Sequence, residues 1–228
     1  GALGIAILEQ AAAMNIGIST FVSLGNGADV SPTDLLLYWE DDPASDVIVM
    51  YMESFGNPRR FGRLARRVGR KKPVVVVKSG RTSAGQRAAA SHTGSLASVD
   101  VAVDALFARA GVIRTNTLHE LFDVTELLAN QPLPAGRRVG VLTNAGGPAI
   151  LAADALEGFG LELPEFSPEL QAKIAERLPG MAAPNNPVDM IASADADNYR
   201  ACLNILLDSD EVDAVIVIYI PTAPEGAE

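Results

Sequence analysis

The stretch Pro73-Val-Val-Val-Val-Lys78, followed by SGRTSAGQRAAASHTGSL over residues 79–96, decides how the rest of the chain is read. Four consecutive valines with no polar alternation demand burial on both faces, which is the mark of a parallel strand held between helices. The residues that follow are almost all Gly, Ser, Thr, Ala or basic. Open α/β sheets bind ligands outside the carboxyl ends of their strands, where loops of this kind begin. One of the two histidines of the protein, His92, lies in this loop as Ser91-His92-Thr93-Gly94.

Working outward, the same grammar repeats. Residues 1–17 read as a glycine-rich turn, Gly1-Ala-Leu-Gly4, running straight into a helix; with no strand before that turn, the chain is expected to start partway through a larger polypeptide. Residues 18–23 read as a strand. Ser31-Pro32-Thr33-Asp34 is a helix start, with Ser as N-cap, Pro at the first helical position and Asp in the first turn. Residues 46–52 form the next strand, ending at Glu53. Phe61, Leu64, Ala65 and Val68 recur at helical spacing and face a sheet, which turns the intervening arginines to water. Beyond the valine strand, helices are expected over about residues 97–110 and from the capping-box pattern Thr117-Leu-His-Glu120 to about 129, with a short strand at 112–114 between them.

Gln131-Pro-Leu-Pro-Ala-Gly136 is a linker by composition, and beyond it the pattern restarts. A strand at 139–142 runs into Thr143-Asn-Ala-Gly-Gly147, Pro148 opens a helix, Ser167-Pro168 and Asp197 cap two more, and residues 213–220 are a second apolar strand. The expected architecture is α/β, with two flavodoxin-like doubly wound parallel-sheet subdomains, residues 1–130 and 137–228, joined by residues 131–136. Shared glycine spacing and the likeness of the strands at 46–52 and 213–220 suggest an internal duplication.

The totals bound the function. Net charge is −10, which argues against nucleic acid as a partner. The 48% hydrophobic and 5% aromatic content fits aliphatic packing of buried parallel strands. A single cysteine, Cys202, excludes an intramolecular disulfide framework and fits a reducing cytoplasm. No apolar run of about 18 residues exists, so no membrane partner is expected. The stretch from Arg59 to Arg87 carries basic residues and no acid; within it Lys78, Arg81 and Arg87 are candidates for anion contact.

Two chemical readings of His92 stand side by side. As a neutral imidazole it can attack phosphorus and hold a phosphoryl group covalently, with Ser91, Thr93 and Gly94 leaving room for substrate. Alternatively it donates to a backbone carbonyl and only fills the loop. The first role needs an acceptor on the other ring nitrogen, and Glu53, ending a neighbouring parallel strand, lies on the same sheet edge. Two turns open directly into helices, at Gly1, Ala2 and Leu3 and at Asn144, Ala145, Gly146 and Gly147; free N–H groups and the helix dipole make both natural phosphate sites, able to address one anion. His119 reads as a surface or capping residue. No cluster has metal-ligand spacing, so no metal site is expected.

KSGRTSAGQRAAASHTGSLA, LGNGADV, the strand ending YMES, TNAGGP and NNPVDM together resemble the NDP-forming acyl-CoA synthetases of the succinyl-CoA synthetase superfamily, which include ADP-forming acetate–CoA ligase. The resemblance runs over essentially the whole chain. It implies that His92 is phosphorylated, that Glu53 steadies its imidazole, and that the helices at Ala2 and Pro148 present their N-termini to the phosphoryl group. It implies a ligase that interconverts acyl-CoA, NDP and phosphate with carboxylic acid, CoA and NTP through acyl phosphate and phosphohistidine. CoA, ATP/ADP and Mg²⁺ are the expected cofactors, bound mainly by a CoA-binding domain and an ATP-grasp domain or subunit that this chain lacks. On this reading the chain is inactive alone and cytoplasmic, and a homo- or hetero-oligomer is one expectation. The alternative is a ligand-sensing synthetase-like module fused to a protein acetyltransferase.

Overall fold

The computed structural model describes residues 2–25, 29–54, 56–85, 87, 100–178 and 180–221. The chain divides into two compact units, Gly1–Pro132 and Leu133–Glu228.

In the first unit, among the described residues, three parallel strands pair in the order β1 (Ile48–Met52), β2 (Val74–Lys78), β3 (Ile113–Thr115). The valines of β2 are buried, as their unbroken run requires. Val74 and Val76 pack on one face with Leu36 and Trp39 of α2 (Pro32–Glu40), Phe61, Ala65 and Val68 of α3 (Pro58–Val68), and Phe107 of α4 (Asp100–Ala110). Val75 and Val77 point the other way, onto Leu121 of α5 (Leu118–Asn130). Helices on both faces make the sheet doubly wound. The apolar stripe expected on α3 is the buried one. Its arginines do more than face water, however. Arg67 bonds the buried carboxylate of Glu40 on α2, Arg60 bonds Asp34 at 2.8 Å, and Lys71 just past α3 bonds Asp41 at 2.8 Å, so the basic face of α3 and the acidic rim of α2 zip together.

Residues 18–23, expected to be a strand, are not one. Ile18, Phe21 and Val22 stay exposed and find no strand partner, and without a ladder β-propensity alone does not make a strand. Ahead of them α1 (Ala2–Ala13) buries only Ala11.

The second unit holds β5 (Val188–Asp189), β4 (Val139–Thr143) and β6 (Ala214–Ile218), parallel and in that order. Leu156 of α6 (Gly146–Gly158) covers one face with Val139 and Val141. Leu170 and Ile174 of α7 (Pro168–Ala175) and Cys202 and Leu206 of α8 (Ala196–Leu207) cover the other with Leu142 and Val188. Helix α6 begins at Gly146, two residues before Pro148: proline is tolerated anywhere in a first turn, where N–H groups have no helical partner. The cap of α8 is Asp195, which accepts from Asp197 and Asn198 N–H, and Asp197 lies inside the first turn. At the start of the sheet Arg138 clips onto Asp213 through Nη2–Oδ1 at 2.6 Å.

The two-residue β5 pairs only with Leu142 and Thr143, so on that side the amino-terminal half of β4 lacks the ladder that β6 provides on the other, and one side chain supplies peptide-like bonds there. Asn186 Oδ1 accepts from Val141 N–H at 3.0 Å while Nδ2 donates to Val139 O at 2.8 Å and to Pro164 O at 3.1 Å. Asn186→Ala strands these backbone groups beside fully buried valines. Unfolding in denaturant should show a loss of about 2–4 kcal/mol, given that each buried unsatisfied polar group costs roughly 1–3 kcal/mol.

Candidate functional site

The carboxyl edge of the first sheet is built by register. Met52 stands opposite Lys78, so Glu53 and Ser79 leave the sheet side by side, and Ser79 N–H donates to Met52 O at 3.0 Å. Glu53 is half-buried there. Lys78 is 6% exposed, and its ammonium donates to the carbonyl of Ser79. Burial pushes its pKa down, repulsion from Arg114 adds to this, and the negative charges of Asp100 and Glu53 oppose it. Lys78 is thus an internal cation in the field of Glu53 and does not reach toward solvent. Arg81 is engaged with Asn116 at 2.6 Å and lies 3.6 Å from Asp100, while Arg87 is exposed. Ser91, His92, Thr93, Gly94 and Gly1 lie outside the described residues. Ala2 and Leu3 are exposed in the first turn of α1, which carries no acid.

The second sheet has its own edge site. Chain order reverses at β4, with β5 on one side and β6 on the other; in open α/β sheets such a switch point is where ligands bind. Asn144-Ala-Gly-Gly147 occupies it. The Asn144 side chain is 3% exposed and spent on structure: Nδ2 donates to Ile220 O at 2.8 Å, and Oδ1 accepts from Ile220 N–H at 2.9 Å. It ties the loop after β6 to the loop after β4, which leaves the backbone of the turn as its chemical surface. Ala145 caps α6 without a side-chain bond, so the first-turn N–H groups meet no competing side-chain oxygen from the cap.

The two glycines of this turn differ in what they accommodate. A Cβ on Gly146 would come to 3.0 Å from Asp189 Oδ2, so packing explains that glycine. A Cβ on Gly147 would meet nothing within 4 Å, and packing gives no reason for it. Asp189 Oδ1 accepts from Ile191 N–H at 3.0 Å, and Ile191 sits at φ 59°, a left-handed conformation that a β-branched residue adopts at a cost of about 1–3 kcal/mol. Strain of this kind gathers at functional sites.

Other candidates recede. The His119 side chain is 82% exposed with Asp123 at 3.7 Å, a surface pair. Cys202 is fully buried, and burial pushes its thiol pKa up, away from nucleophile chemistry. Among the described residues no three His, Cys, Asp or Glu side chains gather to hold a metal ion, and no helix is long and apolar enough to cross a membrane. Reading the sequence missed Lys78 as a buried charge, Arg114 and Asp189 near these edges, and Asn186 as the side chain that bonds the start of β4. Arg114 carried a signal, a cation inside a short strand; Asn186 and Asp189 had none beyond their place in NNPVDM.

Comparison with known proteins places both halves. Residues 1–128 match the model of a succinyl-CoA ligase like flavodoxin domain, and residues 139–224 that of a ligase-CoA domain. The alpha subunit of acetate–CoA ligase [ADP-forming] II of Pyrococcus furiosus is 42% identical over 223 residues, covering 97% of this chain and 49% of the relative. The 4-hydroxybutyrate–CoA ligase [ADP-forming] of Nitrosopumilus maritimus is 38% identical, covering 97% of this chain and 32% of its own length. Among solved structures, the acetyl-coenzyme A synthetase 1 of Ca. Korarchaeum cryptofilum in complex with phosphate and ADP superposes with a TM-score of 0.90 at 38% identity, over 96% of this chain and 48% of that one. The chain spans about half the length of the Pyrococcus subunit and of the Korarchaeum chain, and less of the 4-hydroxybutyrate ligase.

Two outcomes separate function from packing at these edges. Gly147→Ala should raise helix stability by about 0.5–1 kcal/mol, yet weaken inorganic phosphate as a ligand, measured by thermal unfolding with and without phosphate. Gly146→Ala must displace the Asp189 carboxylate and should gain less stability than Gly147→Ala. At the first edge, Lys78→Met removes a buried ammonium. A lysine whose folded pKa is lowered binds fewer protons folded than unfolded between that value and 10.5, so wild-type stability rises with pH across that window. The variant should therefore melt higher at neutral pH, and its advantage should shrink as pH approaches 10.5.

Proposed function

The chain belongs to the succinyl-CoA ligase-like family, and from that premise we propose that it is the histidine-bearing part of an NDP-forming acyl-CoA ligase. The reaction interconverts acyl-CoA, NDP and phosphate with carboxylic acid, CoA and NTP. The observation that carries the reading is the edge where Glu53 stands beside Ser79, since the segment bearing His92 departs from that edge.

In this reading a ring nitrogen of His92 attacks the phosphorus of an acyl phosphate. The N–P bond forms as the P–O bond to the acyl oxygen breaks, and the carboxylate leaves. A terminal oxygen of NDP then attacks the same phosphorus, the N–P bond breaks, and NTP forms with the imidazole restored. Glu53 accepts a hydrogen bond from the N–H of the other ring nitrogen, which fixes the tautomer and offsets the imidazolium charge that phosphorylation creates. Ser91, Thr93 and Gly94 leave the phosphoryl group accessible. Within the second unit the backbone of Asn144-Ala-Gly-Gly147 offers helix-start N–H groups of the kind that receive phosphate oxygens, and the same role is proposed, separately, for Gly1, Ala2 and Leu3. CoA and Mg²⁺-nucleotide are held by a CoA-binding domain and an ATP-grasp domain or subunit, and Mg²⁺ supplies charge neutralisation at the transferring phosphate.

Incubated with labelled ATP and Mg²⁺, the complete enzyme should take up acid-labile, base-stable label that His92→Ala abolishes. Glu53→Gln should slow labelling by about 10²-fold, within the range by which a positioned proton acceptor contributes. Undiminished label in His92→Ala would sink the assignment.

A further inference from the structure

Helix α3 carries three stripes, one buried and two basic. Phe61, Leu64, Ala65 and Val68 form the buried one. Arg60, Arg67 and Lys71, just past the helix, recur at helical spacing, and each meets a carboxylate on or next to α2: Asp34, Glu40 or Asp41. Arg59, Arg63 and Arg66, with Arg70 just past the end of α3, recur at i, i+3 or i, i+4 on the side away from the core. All four are exposed, and none of their side chains bonds or pairs with a described residue.

Stability does not explain this outer stripe. Arg59–Arg63, Arg63–Arg66 and Arg66–Arg70 are like-charge neighbours at spacings that destabilise a helix. Arg59 also lies in the first turn, where the helix dipole favours acids and α3 has none. Solubility does not explain it either, because a solvated face is served by mixed signs. The residue type is informative. Guanidinium groups grip carboxylates through two parallel N–H···O bonds and are more weakly hydrated than ammonium groups, so arginine is enriched and lysine depleted where proteins dock. The neighbouring stripe shows the chemistry that satisfies this helix. There an acidic helix lies alongside, with Arg67 Nε donating to Glu40 Oε1 at 3.0 Å and Nη2 donating to Oε2 of the same carboxylate. The net charge of −10 disfavours nucleic acid as the occupant.

We propose that Arg59, Arg63, Arg66 and Arg70 form the docking surface for a second acidic helix, one that belongs to a domain or subunit outside this chain. The proposal rests on the reading of the chain as one part of a larger ligase. Carboxylates one turn apart on the incoming helix match arginines three and four residues apart on α3, and pairing them removes the like-charge repulsion that the stripe carries by itself.

Arg63→Lys with Arg66→Lys in the complete enzyme keeps both charges at exposed positions, so the fold is retained, and places amines on the surface. A carbodiimide joins each amine to a carboxylate in direct contact, and mass spectrometry identifies the linked peptides. The new amines should link to Asp or Glu side chains spaced one helical turn apart and lying outside this chain. The yield should fall severalfold in about 1 M salt, where charges are screened beyond about 3 Å. Links confined to carboxylates of this chain, in the same copy or a second one, overturn the proposal, as does the absence of any link. Binding of labelled single-stranded RNA that Arg63→Gln with Arg66→Gln abolishes overturns it too. Cross-linking requires no turnover, so the two readings fail separately: absence of label on His92 in the unsubstituted enzyme overturns the ligase reading, and the cross-links then decide the docking surface by themselves.

Discussion

Parallel pairing is the constraint from which the rest follows. A parallel strand cannot return through a tight turn, so each strand needs a helical crossover, and every crossover begins at the same edge of the sheet. Because β2 is buried on both faces, its crossovers must cover both. The loops with chemical potential thus gather without any dedicated scaffold: Glu53 and Ser79 at one carboxyl edge, Asn144 and Ile220 at the other. The aliphatic cores decide where the polar residues meet, and the polar residues need only the right register.

Charge is buried in the first unit with its partners prearranged. Glu40 is nearly inaccessible and is met by Arg67 and Lys71; bonding from Arg67 overcomes burial and keeps its carboxyl below the usual range. Arg114 receives two carboxylates, while Lys78 receives a carbonyl and more distant charges. Buried pairs of this kind contribute little net stability compared with apolar residues of the same volume. Their value here is geometric, since they select one arrangement of α2 on α3 and of α4 on β3.

Reading residues in order recovered the fold class because its signals are local: unbroken valines, the apolar stripe of α3, and caps at Ser31, Thr117 and Ser167. It went astray where the signal depends on a partner. Residues 18–23 have β-propensity but no ladder, and β5 is too short to announce itself. Asn186 acts through contacts tens of residues away, which no window reveals. At the candidate site, Glu53 was legible because strand register places it, whereas the burial of Lys78 was not: a lysine ending an apolar run looks like the exit to solvent. Asn144 was read as a phosphate ligand, and its side chain turns out to be occupied by Ile220, leaving only its backbone for that role.

Asn186 has a consequence beyond holding β4 in place. A strand whose N–H and C=O groups project past a two-residue neighbour offers a template onto which any extended chain can add itself. By bonding Val139 and Val141 with a carboxamide, the protein closes that template with a group that cannot propagate a ladder, since no further strand follows from a side chain. The apolar run that makes β4 a good core strand would, left open, also make it a good seed for association. One amide lets the strand keep the first property while suppressing the second.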